Sequence, residues 1–135
     1  MPPDDAVHAV RRSVALSRMD HVAAVRVSGR DAFAALDRLL PAELFVRDGR
    51  MLHTLVLNEN ARPEADAYLC CDGDDFLLMA EGLSGDALCG LVREHRPPGG
   101  EVEAESLVES HRVFAFSGPY AWEALATVLG PEVVG

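Results

Sequence analysis

The sequence predicts an α+β domain with a mostly antiparallel sheet and flanking helices. Two observations carry this. Strand-like segments outnumber helical ones, and three strands follow one another with short connections, in the order α-β-α-β-β-β-α-β-β-α. The length, 135 residues with 49% hydrophobic content, suits one globular domain spanning residues 1–135. A chain of this size buries roughly two-thirds of the surface exposed by its unfolded form.

Residues 4–16, DDAVHAVRRSVAL, predict a helix: Asp4 or Asp5 can cap it, and Ala6, Val7, Val10 and Val14 recur at three- and four-residue spacing. HVAAVRVS (21–28) alternates as a strand, with Val25 and Val27 on one face and Ala24 and Arg26 on the other; Gly29 ends it. RDAFAALDRLLP is an amphipathic helix carrying Phe33, Leu36 and Leu40, closed by Pro41. After an irregular stretch, GRMLHTLVLN has strong β character. ENARPE then reads as a connection, because Pro63 lacks the donor that a central ladder needs. ADAYLCC and DFLLMAE form a hairpin across Asp-Gly-Asp, centred on Gly73. SGDALCGLVREH is a helix capped by Ser84, with Leu88, Leu91 and Val92 on its apolar face. PPGG is a loop, and EVEAESL and HRVFAFSG are strands. PYAWEALATVLG is the last helix, with Pro119 in its first turn and Gly130 at its end. Its apolar positions, Trp122, Leu125, Val128 and Leu129, need a surface to cover.

The charge balance, 22 Asp+Glu against 12 Lys+Arg, argues against a nucleic-acid partner, since Arg11-Arg12 and the pair Arg93 and Arg96 make no basic stripe. No span approaches the ~18 apolar residues that would cross a bilayer. The N-terminus lacks a basic-then-apolar leader, so a cytoplasmic, membrane-free setting is expected. Cys70, Cys71 and Cys89 have no Cys-x-x-Cys spacing, and adjacent strand residues face opposite ways. No metal site is expected, and all three read as small buried hydrophobes.

One carboxylate stands out. Asp66 sits where an apolar strand begins. It can serve the neighbouring turn by accepting from backbone amides of residues 58–64, or it can present a carboxylate to a ligand amine. His21 and His53 fall on strands and could join it, although two histidines and one acid so far apart are a weak metal pattern. No Walker, dinucleotide, Gly-x-Ser-x-Gly or calcium-loop motif is present.

The ordered set VRRSVALSRMDHVAAVRVSGRDAFAALDRLLP, GRMLHTLVLNENARPEADAYLC and FAFSGPYAWEALATVLG resembles the N-terminal half of the folate-binding aminomethyltransferase family, typified by the glycine-cleavage T-protein. The family pattern runs through S-H-M-G, then L-N-E-x-G-G-x-x-D-D, then L-x-G-P-x-A-x-x-x-L. It is nearly collinear with this chain from Val10 to Leu129. The resemblance implies half of a T-protein-like folate-binding domain. Asp66, matching the second acid of the D-D pair, would be the catalytic residue beside the folate nitrogens and the substrate amine. Val22, His53, Tyr68, Cys70 and His21 would line the tetrahydrofolate cavity. The first acid of the pair is Ala65 here. His53 and Cys70 replace tyrosines, Val22 replaces the motif methionine, and Asp20, Ala23, Arg18 and Ala61-Arg62 depart too, so the apolar framework is kept while much of the ligand-facing set is exchanged.

The family closes its cavity with two halves of the chain. The resemblance therefore implies the small subunit of a two-chain tetrahydrofolate-dependent transferase or demethylase acting on a small-molecule amine, with a second polypeptide supplying the C-terminal half. Two alternatives stand beside it: a non-catalytic scaffold subunit, favoured by the exchanged residues, and an iron–sulfur-assembly folate-binding protein.

Overall fold

The computed structural model describes residues 3–44 and 47–134. The chain forms two compact units: Asp20–His111, and the N-terminal stretch to Met19 with the C-terminal stretch from Arg112.

In the larger unit, five strands are ordered β3-β4-β5-β2-β6, all pairs antiparallel: β2 (Val22–Ser28), β3 (Met51–Leu57), β4 (Pro63–Asp72), β5 (Asp75–Glu81) and β6 (Glu103–Ser106). Helices α2 (Ala32–Leu39) and α3 (Gly85–Glu94) cover one face. There Val25, Val27, Val56, Ala67, Leu69 and Leu78 meet Leu36, Leu88 and Val92, all fully buried. Strand alternation sends the intervening residues to the opposite face, which no helix of this unit covers.

Local chemistry explains most element ends. Ser84 accepts a hydrogen bond from the Ala87 amide at 3.1 Å and starts α3. Gly73, at φ 64°, opens the tight Asp72–Asp75 connection, and its amide donates to Asp48 Oδ1 at 2.8 Å. Gly29 stands at φ 106°, where a Cβ would collide with the Glu101 carbonyl. At the same place the Asp31 amide donates to Glu101 O at 3.1 Å and the Glu101 amide to Asp31 Oδ2 at 2.9 Å. Arg93 Nη2 donates to Ala104 O at 2.6 Å and fastens α3 to β6.

Three expectations need correction. Pro63 is not in a connection: it opens β4 opposite Leu57, where the ladder shifts register and no donor is required. Phe33 does not face the core. The buried stripe of α2 is Ala32, Ala35, Leu36 and Leu39, and Phe33 is 49% exposed, its ring 6.5 Å from that of Phe76. The third concerns the smaller unit. Its helix α1 (Pro3–Arg12) does not reach residue 16, because Ala15–Arg18 form strand β1, paired antiparallel with β7 (Phe114–Ser117). Ser13 ends the helix by donating to Ala9 O at 2.8 Å, and its own carbonyl accepts from the Tyr120 amide at 3.1 Å.

The smaller unit closes with α4 (Ala121–Leu129) and a 3-10 turn (Pro131–Val134). Among its described residues none is buried, and Val7, Leu16, Phe114, Trp122, Val128 and Leu129 are exposed.

Candidate functional site

The helix-free face of the five-stranded sheet carries the candidate site, and the registers fix who stands beside whom. One row runs His53–Tyr68–Met79–Ala24, and the next runs Leu55–Asp66–Glu81–Val22. Cys70 lies between Met51 and Leu77 in the adjacent row. Val22, His53, Asp66, Tyr68 and Cys70, drawn from three strands, thus share one face. His21 precedes β2 at the same end.

Asp66 is not the acceptor for the 58–64 turn. Asn58 Oδ1 takes that role, accepting from the Asn60 amide at 2.9 Å and the Arg62 amide at 3.1 Å. Asp66 Oδ1 instead accepts from His53 Nε2 at 2.6 Å. A carboxylate only accepts, so this bond places the histidine's proton on Nε2. The His53 ring also lies 4.8 Å from the Tyr68 ring, tilted by 34°, as a close cross-strand pair allows.

Glu81 is the residue that sequence reasoning missed. It stands directly opposite Asp66, and His21 Nε2 contacts its Oε1. Two acids directly opposite on a ladder repel; here each has an imidazole beside it, His53 for Asp66 and His21 for Glu81. An acid ending the apolar run DFLLMAE looks like a solvated strand end, and only the register reveals its neighbour. The result is a carboxylate pair beside a shallow apolar and aromatic surface of Tyr68, Met79, Leu77 and Val22. Such a surface can stack a flat heterocycle while the acids meet N–H donors or an ammonium group.

Cys70 contributes as an apolar group. Burial, and then the charge of Asp72, raise its thiol above the ordinary value of 9.0, so it is protonated and weakly nucleophilic at neutral pH. Burial likewise raises Cys89, which packs in the core; Arg93 opposes the rise, and Asp86 and Glu105 add to it. Among the described residues no group of three or more His, Cys, Asp or Glu is arranged to hold a metal ion. None of their helices is long and apolar enough to cross a membrane. An open depression between the β3–β4 turn and α3, lined by Asn58, Glu59, Glu64, Glu94 and His95, contains none of the anticipated site residues.

Residues 4–133 match the family model described as GCVT N-terminal domain. The chain is 27% identical over 128 residues to an aminomethyltransferase of Clostridium botulinum (strain Langeland), covering 93% of this chain and 34% of that protein. It is 27% identical over 138 residues to an aminomethyltransferase of Corynebacterium jeikeium, covering 97% of this chain and 35% of that one. Among solved structures, the glycine cleavage system aminomethyltransferase T from Bartonella henselae superposes with a TM-score of 0.79 at 24% identity, over 92% of this chain and 34% of that chain. The chain spans about a third of the length of these relatives.

Proposed function

The chain belongs to the GCVT N-terminal domain family, and on that premise we propose that it is the smaller part of a tetrahydrofolate-dependent aminomethyl or methyl transferase, completed by a second polypeptide. The convergence of Val22, His53, Asp66, Tyr68 and Cys70 on one sheet face of the larger unit carries this reading. The donor set fits a reduced pterin: an aromatic and apolar surface for a flat ring, bordered by acids for its N–H groups. When bound, the folate would supply the one-carbon carrier. The chain's own part is to hold and orient. Tyr68, Val22 and Cys70 bear on the ring, while His53 fixes the Asp66 carboxylate through Oδ1. Oδ2 makes no hydrogen bond among the described residues, which leaves it for the substrate amine.

The second polypeptide has its own support. The smaller unit has no buried described residue and exposes Phe114, Trp122, Val128 and Leu129; large apolar side chains clustered at a protein surface mark an interaction site. A protein supplying the remaining part of the domain would cover it. We assign this assembly to the cytoplasm.

The test is co-expression with the candidate partner, titration with tetrahydrofolate, and turnover of Asp66→Asn. A 1:1 complex that binds tetrahydrofolate and loses at least about 100-fold in turnover on this substitution supports the proposal, that being the low end of general acid–base contributions. Unchanged turnover removes Asp66 from the mechanism. A complex that forms without binding folate leaves the non-catalytic scaffold role.

A further inference from the structure

We propose that the β3 edge of the larger unit is a pairing surface for a second copy of this chain, giving a continuous two-fold-related sheet. The proposal uses the backbone edge of β3 and not the α4 surface assigned above to a second polypeptide, although His53 of the same strand belongs to the candidate site.

The two edges of the five-stranded sheet differ. Strand β6 is four residues long and carries Glu103 and Glu105, the charges by which natural sheets guard an edge. Strand β3, Met-Leu-His-Thr-Leu-Val-Leu, is seven residues long, with no Asp, Glu, Arg, Lys or Pro. Among the described residues it has a strand neighbour on one side only, β4. The chain contains no lysine at all to place there.

The ladder tells which backbone groups are left over. The Cys71 amide donates to Arg50 O at 3.1 Å, so Arg50 is bonded toward β4. In an antiparallel pair, bonded and non-bonded residues alternate. Leu52, Thr54 and Val56 therefore bond inward to Leu69, Ala67 and Ala65, whereas Met51, His53 and Leu55 turn their N–H and C=O groups outward. The close approach of the His53 and Tyr68 rings fits this assignment, because non-bonded pairs bring side chains nearer.

A two-fold axis at Thr54 satisfies these groups with a second β3. His53 exchanges its bonds with Leu55 of the other copy, and Met51 faces its Leu57. On the helix side, Leu52 meets Val56 and extends the apolar layer. Thr54 meets its own counterpart in the non-bonded, closer type of pair. Thr54 points to this register independently: it is a buried polar residue at 6% exposure, and its hydroxyl has no hydrogen-bond partner among the described residues. Facing threonines on neighbouring strands can hydrogen-bond to each other once χ1 turns the hydroxyls together.

Sedimentation of the full chain over rising concentration, with non-reducing electrophoresis of cysteine variants, tests the proposal. The wild-type mass should climb from 14.6 kDa toward twice that value. Leu55→Lys, with a circular-dichroism spectrum like the wild type, should stay monomeric over the same range. Oxidised Thr54→Cys should give a covalent dimer, since non-bonded pairs lie within disulfide reach. Leu55→Cys, which faces His53 of the other copy, should give no more covalent dimer than the wild type. A monomer at every concentration overturns the proposal, as does a dimer unaffected by Leu55→Lys. Equal cross-linking of both cysteine variants overturns the Thr54 register. Protection of β3 amides only in a complex with a different polypeptide assigns the edge to that partner and overturns the self-pairing.

Discussion

At the level of single residues, the face a side chain occupies decides its chemistry. Asp66 and Ala65 are neighbours in sequence, yet Ala65 packs in the core while Asp66 meets His53 on the open face. An acid at position 65 would therefore point among the helices and could not replace Asp66. Cys70 and Cys71 divide in the same way, and Cys70 and Cys89 allow a pH prediction. Both thiols sit above 9.0 in the folded chain, because burial disfavours the thiolate. Their stabilising contribution is thus complete below pH 9. It falls as pH rises, because the unfolded chain loses those protons first. All 12 Lys+Arg residues are arginine, so no lysine titrates in the same window. The urea midpoint should accordingly drop between pH 8.5 and pH 10.5, and drop less in Cys89→Val. Parallel profiles for the two proteins would refute the assignment to Cys89.

Among the elements, those set by nearby residues differ sharply in what their end signals cost. Gly29 ends β2 at φ 106° with its α-hydrogen against the Glu101 carbonyl, so Gly29→Ala must both strain the backbone and displace Glu101 from its exchange with Asp31. About 1–3 kcal/mol of strain is expected from the backbone alone. Ser84→Ala loses one capping bond and should cost about 1 kcal/mol. Urea unfolding should rank them in that order, and a Gly29→Ala midpoint equal to that of Ser84→Ala would show that the β2 end relaxes freely. The same division explains what could be read from the sequence. Strand β5, the Gly73 connection and capped α3 are written in short-range signals and were legible from them. Strand β1 was not, since its residues continue a helical spacing and become a strand only through pairing with Phe114–Ser117 at the other end of the chain. On α2 the sequence points rightly to Leu36 and Leu40 but wrongly to Phe33, because Phe33 and Ala32 begin adjacent faces that both satisfy three-and-four spacing. In the candidate site, Asp66, His53 and Tyr68 stand out in the sequence only through the family resemblance. Glu81 does not stand out, because its role depends on a register no local pattern encodes.

For the whole molecule, the unequal distribution of buried residues has a dynamic consequence. Every member of the hydrophobic core, from Val25 to Ala104, lies in the larger unit. The smaller unit has strand–strand hydrogen bonds and a bond from the Tyr120 amide to Ser13 O but no buried described residue, and α4 has none along its length. Backbone bonds without a covering apolar layer open easily, whereas those beneath a packed core open only near global unfolding. Amide exchange in the isolated full chain should therefore be slow in β2, β4, β5 and α3 and fast in α1, β1, β7 and α4. If a second polypeptide covers Trp122, Val128 and Leu129, its addition should slow exchange in α4 and β7 by at least 10-fold, while the already protected strands of the larger unit change little. A single slow exchange class across both units of the isolated chain would mean that the smaller unit is stabilised without a partner. The exposed apolar residues of α4 would then no longer support a missing subunit.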